Sequence, residues 1–497
     1  MALSRCLLHL LEDGVEHGIE IKLELLPEDL DRFAASGLLG EPARVENQRS
    51  VYFDTRARDL FQSGFTLRIR TVGSARTQTI KATGASASVF ARPEWEQPLD
   101  GAEPVVDHTT PLAAQFDLAP GDLQPHFAVD VERTTWKVKQ DGADVEVVLD
   151  RGLIIAGTRQ TTIGEIELEL KDGAPEALFT LARRIEALVP IRFGVMSKAE
   201  RGFRLIDAEQ MVFKAEPVEL DREMRVAKSF RTVALACLRH HRLNEDVLRL
   251  RQNPEALHQA RVALRRLRSA FSLYRDLLQD DESVRLKGEL KWLAGVFGKA
   301  RDVDVLLARA SRPELVEWLK TARAARYREV FEALDDGRGR ALMLDLHQWL
   351  HCGAYLSSPP AELHDRPVTD FAEAVLDRER RKLKKHGRAL AKIGDEERHE
   401  ARKDAKKLRY AAEFFATLFD DKRGARRHKR FTAAMAALQD ELGTLNDLVS
   451  APHVLGEIGL EDHPDAGTLV VQANKDKLID RAQAALDDVI DVKRFWR

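Results

Sequence analysis

Glu20, Lys22 and Glu24 stand two apart in the segment Ile19-Glu20-Ile21-Lys22-Leu23-Glu24, where apolar and charged residues alternate strictly. On a strand all three share one face, with Ile and Leu on the other. The same alternation places Arg68 with Arg70, and Glu165, Glu167 and Glu169 with Lys171, on single faces. Any single strand of this kind reads first as the solvated side of an antiparallel sheet. Taken across at least five strands, however, the charged faces hold carboxylates and bases in comparable supply. A closed barrel would turn them inward, where bases grip a polyanion and carboxylates hold Mg²⁺ or Mn²⁺. Hydrolysis of a phosphoanhydride needs both: cations to neutralise phosphoryl oxygens, and a carboxylate-held metal to polarise the phosphate and activate water.

A second group lies far along the chain. His258, Arg261, Arg265 and Arg268 are spaced three, four and three apart, which is one face of a helix. His399, Arg402, Lys406 and Arg409 repeat that spacing 141 residues later. A row of like charges is unfavourable unless an anion or acidic neighbours neutralise it, so the alternatives are a solvated face and a polyanion site. No Cys, Asp or Glu stands at ligand spacing from these histidines, so they serve better as phosphate hydrogen-bond donors than as metal ligands.

The elements that must position these residues divide the chain in two. Strand-like alternation continues through Leu67–Arg70, Thr79–Lys81, Glu94–Glu96, Phe127–Arg133, Val145–Leu149 and Ile163–Lys171, with turns at Gly73-Ser74, Asp141-Gly142 and Asp172-Gly173. Pro175–Leu188 is helical, and a last strand-like piece is expected at Ser197-Lys198. Beyond about residue 215 the period becomes 3.6, with dense Arg and Lys. Pro359-Pro360 and Pro367 break this helical region into halves. Besides the 141-residue repeat, Leu293, Gly298 and Arg301-Asp302 recur as Leu438, Gly443 and Asn446-Asp447, which indicates an internal duplication. Asp302 and Asp447 are expected to orient the basic rows.

Charge sorts the same way. Residues 1–215 carry 25 Lys+Arg against 34 Asp+Glu, and the remainder 53 against 47. The whole chain has 78 against 81 and 6% aromatic residues, which points to a helix-rich protein with a heavily charged surface, and the strand-like first part makes the expected class multidomain α+β. No apolar run is long enough to cross a membrane, and MALSRCLLHLLEDG is unlike a signal peptide. Three isolated cysteines fit a cytoplasmic location.

In their order, Glu20-x-Lys22, Tyr52-Phe53-Asp54-Thr55, Leu67-Arg68-Ile69-Arg70, Ile80-Lys81, Arg92-Pro93-Glu94-Trp95-Glu96, Glu165–Lys171 and Ser197-Lys198 resemble the CYTH family, the triphosphate tunnel metalloenzymes, over about residues 17–206. The resemblance implies an eight-stranded antiparallel β tunnel with flanking helices, filling residues 1–210, that cleaves triphosphates with Mg²⁺ or Mn²⁺. It implies phosphate ligands at Lys22, Arg68, Arg70, Lys81, Arg133 and Lys198, and metal ligands at Glu20, Glu165, Glu167 and Glu169. Glu20, Lys22 and Glu167 are the implied catalytic residues. The family's E-x-E-x-K motif reads G-x-E-x-K here, with Gly18 at the first carboxylate, so a silenced, purely binding site is the alternative. Glu16 and Glu24 share that face.

Residues 220–497 resemble the CHAD family, conserved-histidine α-helical domains, through His258-x-x-Arg261, Arg265-Arg266-Leu267-Arg268, Ala300–Asp304, His399-x-x-Arg402 and Lys406-Lys407-Leu408-Arg409. The resemblance implies a pseudo-twofold pair of four-helix bundles, with halves at about 220–355 and 368–497. It also implies a basic channel for inorganic polyphosphate lined by His258, Arg261, Arg265, Arg266, Arg268, His399, Arg402, Lys406, Lys407 and Arg409. The expected partners are tripolyphosphate and polyphosphate, and association with polyphosphate granules is expected with them. Nucleic acid is disfavoured, because the duplicated segment lacks paired aromatics for stacking.

Overall fold

The computed structural model describes residues 19–82, 94–107, 110, 112–113, 115–119, 121–207, 210–364, 366–470 and 473–497. Gly18, Glu16, Cys6, Arg92 and Pro93 lie outside them. The chain divides into two compact units at Gln210/Met211.

The first unit is one antiparallel sheet of nine strands: β1 (Glu20–Glu24), β2 (Arg44–Asp54), β3 (Phe65–Val72), β4 (Ala75–Ala82), β5 (Glu94–Leu99), β6 (Gln124–Gln140), β7 (Ala143–Ala156), β8 (Arg159–Asp172) and β9 (Arg192–Phe193). Their hydrogen-bonded order is β5-β4-β3-β2-β6-β7-β8-β1-β9. The expected count of eight is therefore corrected to nine among the described residues. The added strand has two residues, too short to show alternation, and pairs with Leu23 and Glu24 at the edge of β1. Alternation does its predicted work elsewhere: Ile21, Leu23, Ile166 and Leu168 are fully buried, while Glu20, Lys22 and Glu167 between them are only partly so. Helices α1 (Pro27–Ala34), α2 (Glu176–Glu186) and α3 (Lys198–Ile206) flank the sheet.

The strand expected at Ser197-Lys198 is instead the start of α3. Ser197 caps it: its hydroxyl accepts from the Glu200 amide while the Glu200 carboxylate accepts from the Ser197 amide. That reciprocal S-x-x-E pair satisfies two otherwise orphaned donors and outweighs a two-residue strand signal.

The second unit is helical: α4 (Val226–Arg251), α5 (Pro254–Leu273), α6 (Asp281–Arg309), α7 (Pro313–Asp335), α8 (Gly337–Cys352), α9 (Val368–His386), α10 (Asp395–Phe414), α11 (Lys422–Glu457) and α12 (Lys475–Asp491). Helices α5 and α10 begin and end at the 141-residue offset of the motif repeat, and α6 and α11 begin at it. Each half thus contributes four successive long helices, α4–α7 and α9–α12, with α8 added to the first. Fully buried residues fill the helical core at matched repeat positions, Leu267 with Leu408 and Leu293 with Leu438. Among the described residues no helix is long and apolar enough to cross a membrane.

Candidate functional site

Antiparallel register puts directly opposed side chains on one face. Arg133 on β6 opposes Asp150 on β7, Asp150 opposes Glu165 on β8, and Lys22 on β1 opposes Glu167 on β8. The result is a compact network. Arg133 makes a forked pair with Asp150, at 2.7 Å from Nε and 2.6 Å from Nη2, and reaches Glu167 at 3.3 Å. Lys22 Nζ lies 3.1 Å from Glu165 Oε1 and 2.8 Å from Glu167 Oε1. Lys198, set at the first position of α3 by the Ser197 cap, places its ammonium 2.6 Å from Asp150, 3.1 Å from Glu167 and against Glu165.

Local backbone makes room for this. The Gly194 amide donates to the Lys22 carbonyl at 2.9 Å, and a Cβ at Gly194 would fall 2.6 Å from Lys22 Cγ. Only glycine lets the chain after β9 pass so close to the Lys22 stem.

Electrostatics follow from proximity. Burial raises the Glu167 carboxyl, but Lys198, Lys22 and Arg133 outweigh it and hold it well below the usual range. Burial likewise opposes Asp150, which Lys198 and Arg133 bring below its ordinary value. Glu20 goes the other way: burial and then Glu167 raise it, against Lys22, Lys81 and Lys198. Lys81 belongs to β4, six strands from β1 in pairing order, so the sheet curls until its charged face surrounds one interior. Arg70 is pushed down by burial and then by Arg68 and Arg133, and its buried Nε has no hydrogen-bond partner.

Carboxylate oxygens of Asp150, Glu165 and Glu167 lie within 4.8 Å of one another. The second oxygen of Glu165, Oε2, is buried without a hydrogen bond, 3.7 Å from Arg201. Hard oxygen donors at this spacing fit a divalent cation such as Mg²⁺ or Mn²⁺ better than a soft metal. Lys81 pairs with Glu94 at 2.7 Å, and Arg68 approaches Glu94 at 3.8 Å. Glu169 stands apart from the three-carboxylate group, engaged with Lys171 at 2.7 Å. Asp150 was not among the residues expected from sequence. It ends the run Val145–Leu149, and carrying the Glu146/Val148 face one step further reaches it.

In the helical unit α5 and α10 bring both basic rows together. Arg261 and Arg265 from α5 act on Arg402 and Lys406 from α10. Arg265 Nε donates to Tyr410 Oη at 2.7 Å. Arg402 shares Asn446 Oδ1 with His399, each at 3.1 Å. Among the described residues no carboxylate pairs with Arg261, Arg265, Arg402 or Lys406 within 4.0 Å. Burial, Arg301, Arg265 and Arg261 take His258 down to about 4.

The remaining predicted bases sit differently. Arg266 is buried, ion-paired with Glu413 and stacked 4.8 Å over Phe414. Arg409 also pairs with Glu413, at 2.9 Å, and with Gln439. Lys407 stands 4.0 Å from Asp404, and burial lowers Arg268. Asp447 is bonded to Arg309 at 2.8 Å and acts on Arg402 and Lys406, while Asp302 acts on Arg261.

Residues 16–203 match the family model described as the CYTH domain, and residues 232–456 that of the CHAD domain. Over 202 residues, 38% of this chain, the sequence is 33% identical to an inorganic triphosphatase of Haemophilus influenzae. The chain spans about half that relative's length, 54%. It is 27% identical to an uncharacterized protein of Mycobacterium tuberculosis, over 75% of this chain and 76% of that one. The crystal structure of a CHAD domain from Ricinus communis is 29% identical, covers 56% of this chain and 96% of its own, and has a TM-score of 0.47. The chain therefore carries a CYTH domain over residues 16–203 followed by a CHAD domain over residues 232–456.

Proposed function

We propose that the first unit hydrolyses tripolyphosphate with Mg²⁺ or Mn²⁺, and that the helical unit holds long-chain polyphosphate, tethering the protein to cytoplasmic polyphosphate deposits. One observation carries the reading of the first unit: Asp150, Glu165 and Glu167 share a partly buried interior with Lys22, Arg133 and Lys198. A bound divalent ion supplies Lewis-acid polarisation of a phosphoryl oxygen and a more acidic water. Asp150, Glu165 and Glu167 would hold it, with Glu20 on the same face. Lys22, Arg68, Arg70, Lys81, Arg133 and Lys198 bind and orient the triphosphate oxygens, and Glu167, held ionised by Lys198, Lys22 and Arg133, would offer the ion a charged oxygen ligand. The inorganic triphosphatase likeness over this unit supports the substrate class.

For the helical unit the supporting observation is the meeting of Arg261, Arg265, Arg402 and Lys406 with no carboxylate among the described residues paired to them within 4.0 Å, a charge arrangement that an anion stabilises. Fluorescence anisotropy with labelled long-chain polyphosphate, in EDTA, tests it. Binding that persists without divalent metal and weakens steeply with salt is the expected result. Stronger binding to duplex DNA at equal charge concentration contradicts it.

A further inference from the structure

The repeat places Arg265 and Lys406 at equivalent positions, just as it pairs Arg261 with Arg402 and His258 with His399. Three of the four clustered cations are therefore guanidiniums, which keep their protons in any protein setting, and the fourth is an ammonium. When like charges are crowded in a partly buried place, repulsion is relieved where a proton leaves most easily, and here that is the lysine. We propose that anion binding at the α5/α10 cluster takes up a proton at Lys406, making this a proton-coupled polyphosphate site. The inference rests on the polyanion reading of the helical unit.

The surroundings of Lys406 support it from each packed element. Helix α5 presents Arg265 and Arg261, α10 its own Arg402, and α11 Asp447, which favours the charged lysine and is itself bonded to Arg309. On α6, Arg301 and Asp302 act on His258 and Arg261. The α9 side is taken by His386, bonded to Asp404 at 2.6 Å. Burial first, then Arg265, Arg402 and Arg261, bring the Lys406 ammonium down to about 6. A polyphosphate oxygen among these cations removes the repulsion and restores the charged form. Over the pH range between the free and the bound lysine, affinity falls roughly tenfold per pH unit.

Calorimetric titration of the full chain with long-chain polyphosphate at pH 8, in two buffers of different ionisation enthalpy, counts the protons. That pH lies above the second ionisation of terminal phosphate groups, near about 6, and above the ordinary histidine range. Uptake approaching one proton per site is expected, together with its loss in Lys406→Arg and in Lys406→Gln. Two variants guard against misfolding of either, and circular dichroism identifies a variant that has not folded. No uptake in the wild-type chain, or equal uptake in a folded Lys406 variant, overturns the proposal while the binding reading stands. No binding at all overturns that reading, and this inference with it.

Discussion

Lys198 Nζ stands 2.6 Å from Asp150 Oδ2, with both side chains almost closed to solvent. The lysine comes from the first turn of α3 and the aspartate from the middle of the sheet, so the contact couples the helix cap to the charged interior. Asp150 also accepts both bonds of the Arg133 fork. It is thus the anchor for two of the cations proposed to orient substrate. Asp150→Asn keeps the shape and removes the charge. It is expected to lower kcat on the order of 10²-fold, the scale seen when one group placed at developing charge is lost. Steady-state kinetics on tripolyphosphate, with circular dichroism as a check on folding, measures this.

Gly194→Ala is expected to act through Lys22. The new Cβ, 2.6 Å from Lys22 Cγ and 2.9 Å from Cδ, must displace the lysine stem, an overpacking cost of about 1–3 kcal/mol. KM for tripolyphosphate rises several-fold while kcat changes less. In a Lys22→Ala background the effect of Gly194→Ala largely disappears, because the group it displaces is gone. Additive effects would assign Gly194 a purely structural role.

The fold of both units was legible in local patterns, and the exceptions have physical causes. Alternation located the strands bearing Lys22, Arg70 and Glu167 because one face of each packs on a core. It missed β9, where two residues carry no period, and misread Ser197-Lys198, where a capping box decides the local structure. Asp150 escaped notice because its burial depends on Arg133 and Lys198, neighbours distant in sequence. On the helices, spacing identified His258, Arg261 and Arg265 as one face. It could not tell that Arg266, one residue on, turns to Glu413 and Phe414 across the repeat boundary.

That distinction separates the basic residues by experiment. Arg265→Ala with Arg402→Ala removes two cations without carboxylate partners. Long-chain polyphosphate affinity should drop at least tenfold, and the salt dependence should become shallower, by analogy with counterion release from nucleic acids. Arg409→Ala, whose guanidinium is already held by Glu413 and Gln439, should change affinity less than threefold. Equal losses in the two would contradict a site centred on the α5/α10 crossing.

Acid should weaken the helical unit through its buried histidines. Burial, with Arg266 adding, takes His240 from 6.5 down to about 4, and burial with His351 takes His347 to about 3. Both are neutral when folded, whereas the unfolded chain binds their protons below about 6.5. Their contribution is fully present above that pH and is lost as pH falls toward the folded values. At pH 5 each costs about 2 kcal/mol relative to pH 7.5. Urea midpoints at the two pH values measure the sum, and His347→Gln should reduce the difference between them.

The central claim is metal-dependent hydrolysis in the interior formed by Lys22, Arg133, Asp150, Glu165, Glu167 and Lys198. Its most direct test is phosphate release from tripolyphosphate by the full chain, titrated with Mg²⁺ and with Mn²⁺ after EDTA treatment, beside Glu167→Gln. The account predicts turnover that rises with metal, vanishes in EDTA, and is abolished in Glu167→Gln with tripolyphosphate binding largely retained. Tight tripolyphosphate binding by the wild-type chain with no phosphate released at any concentration of either metal would contradict it.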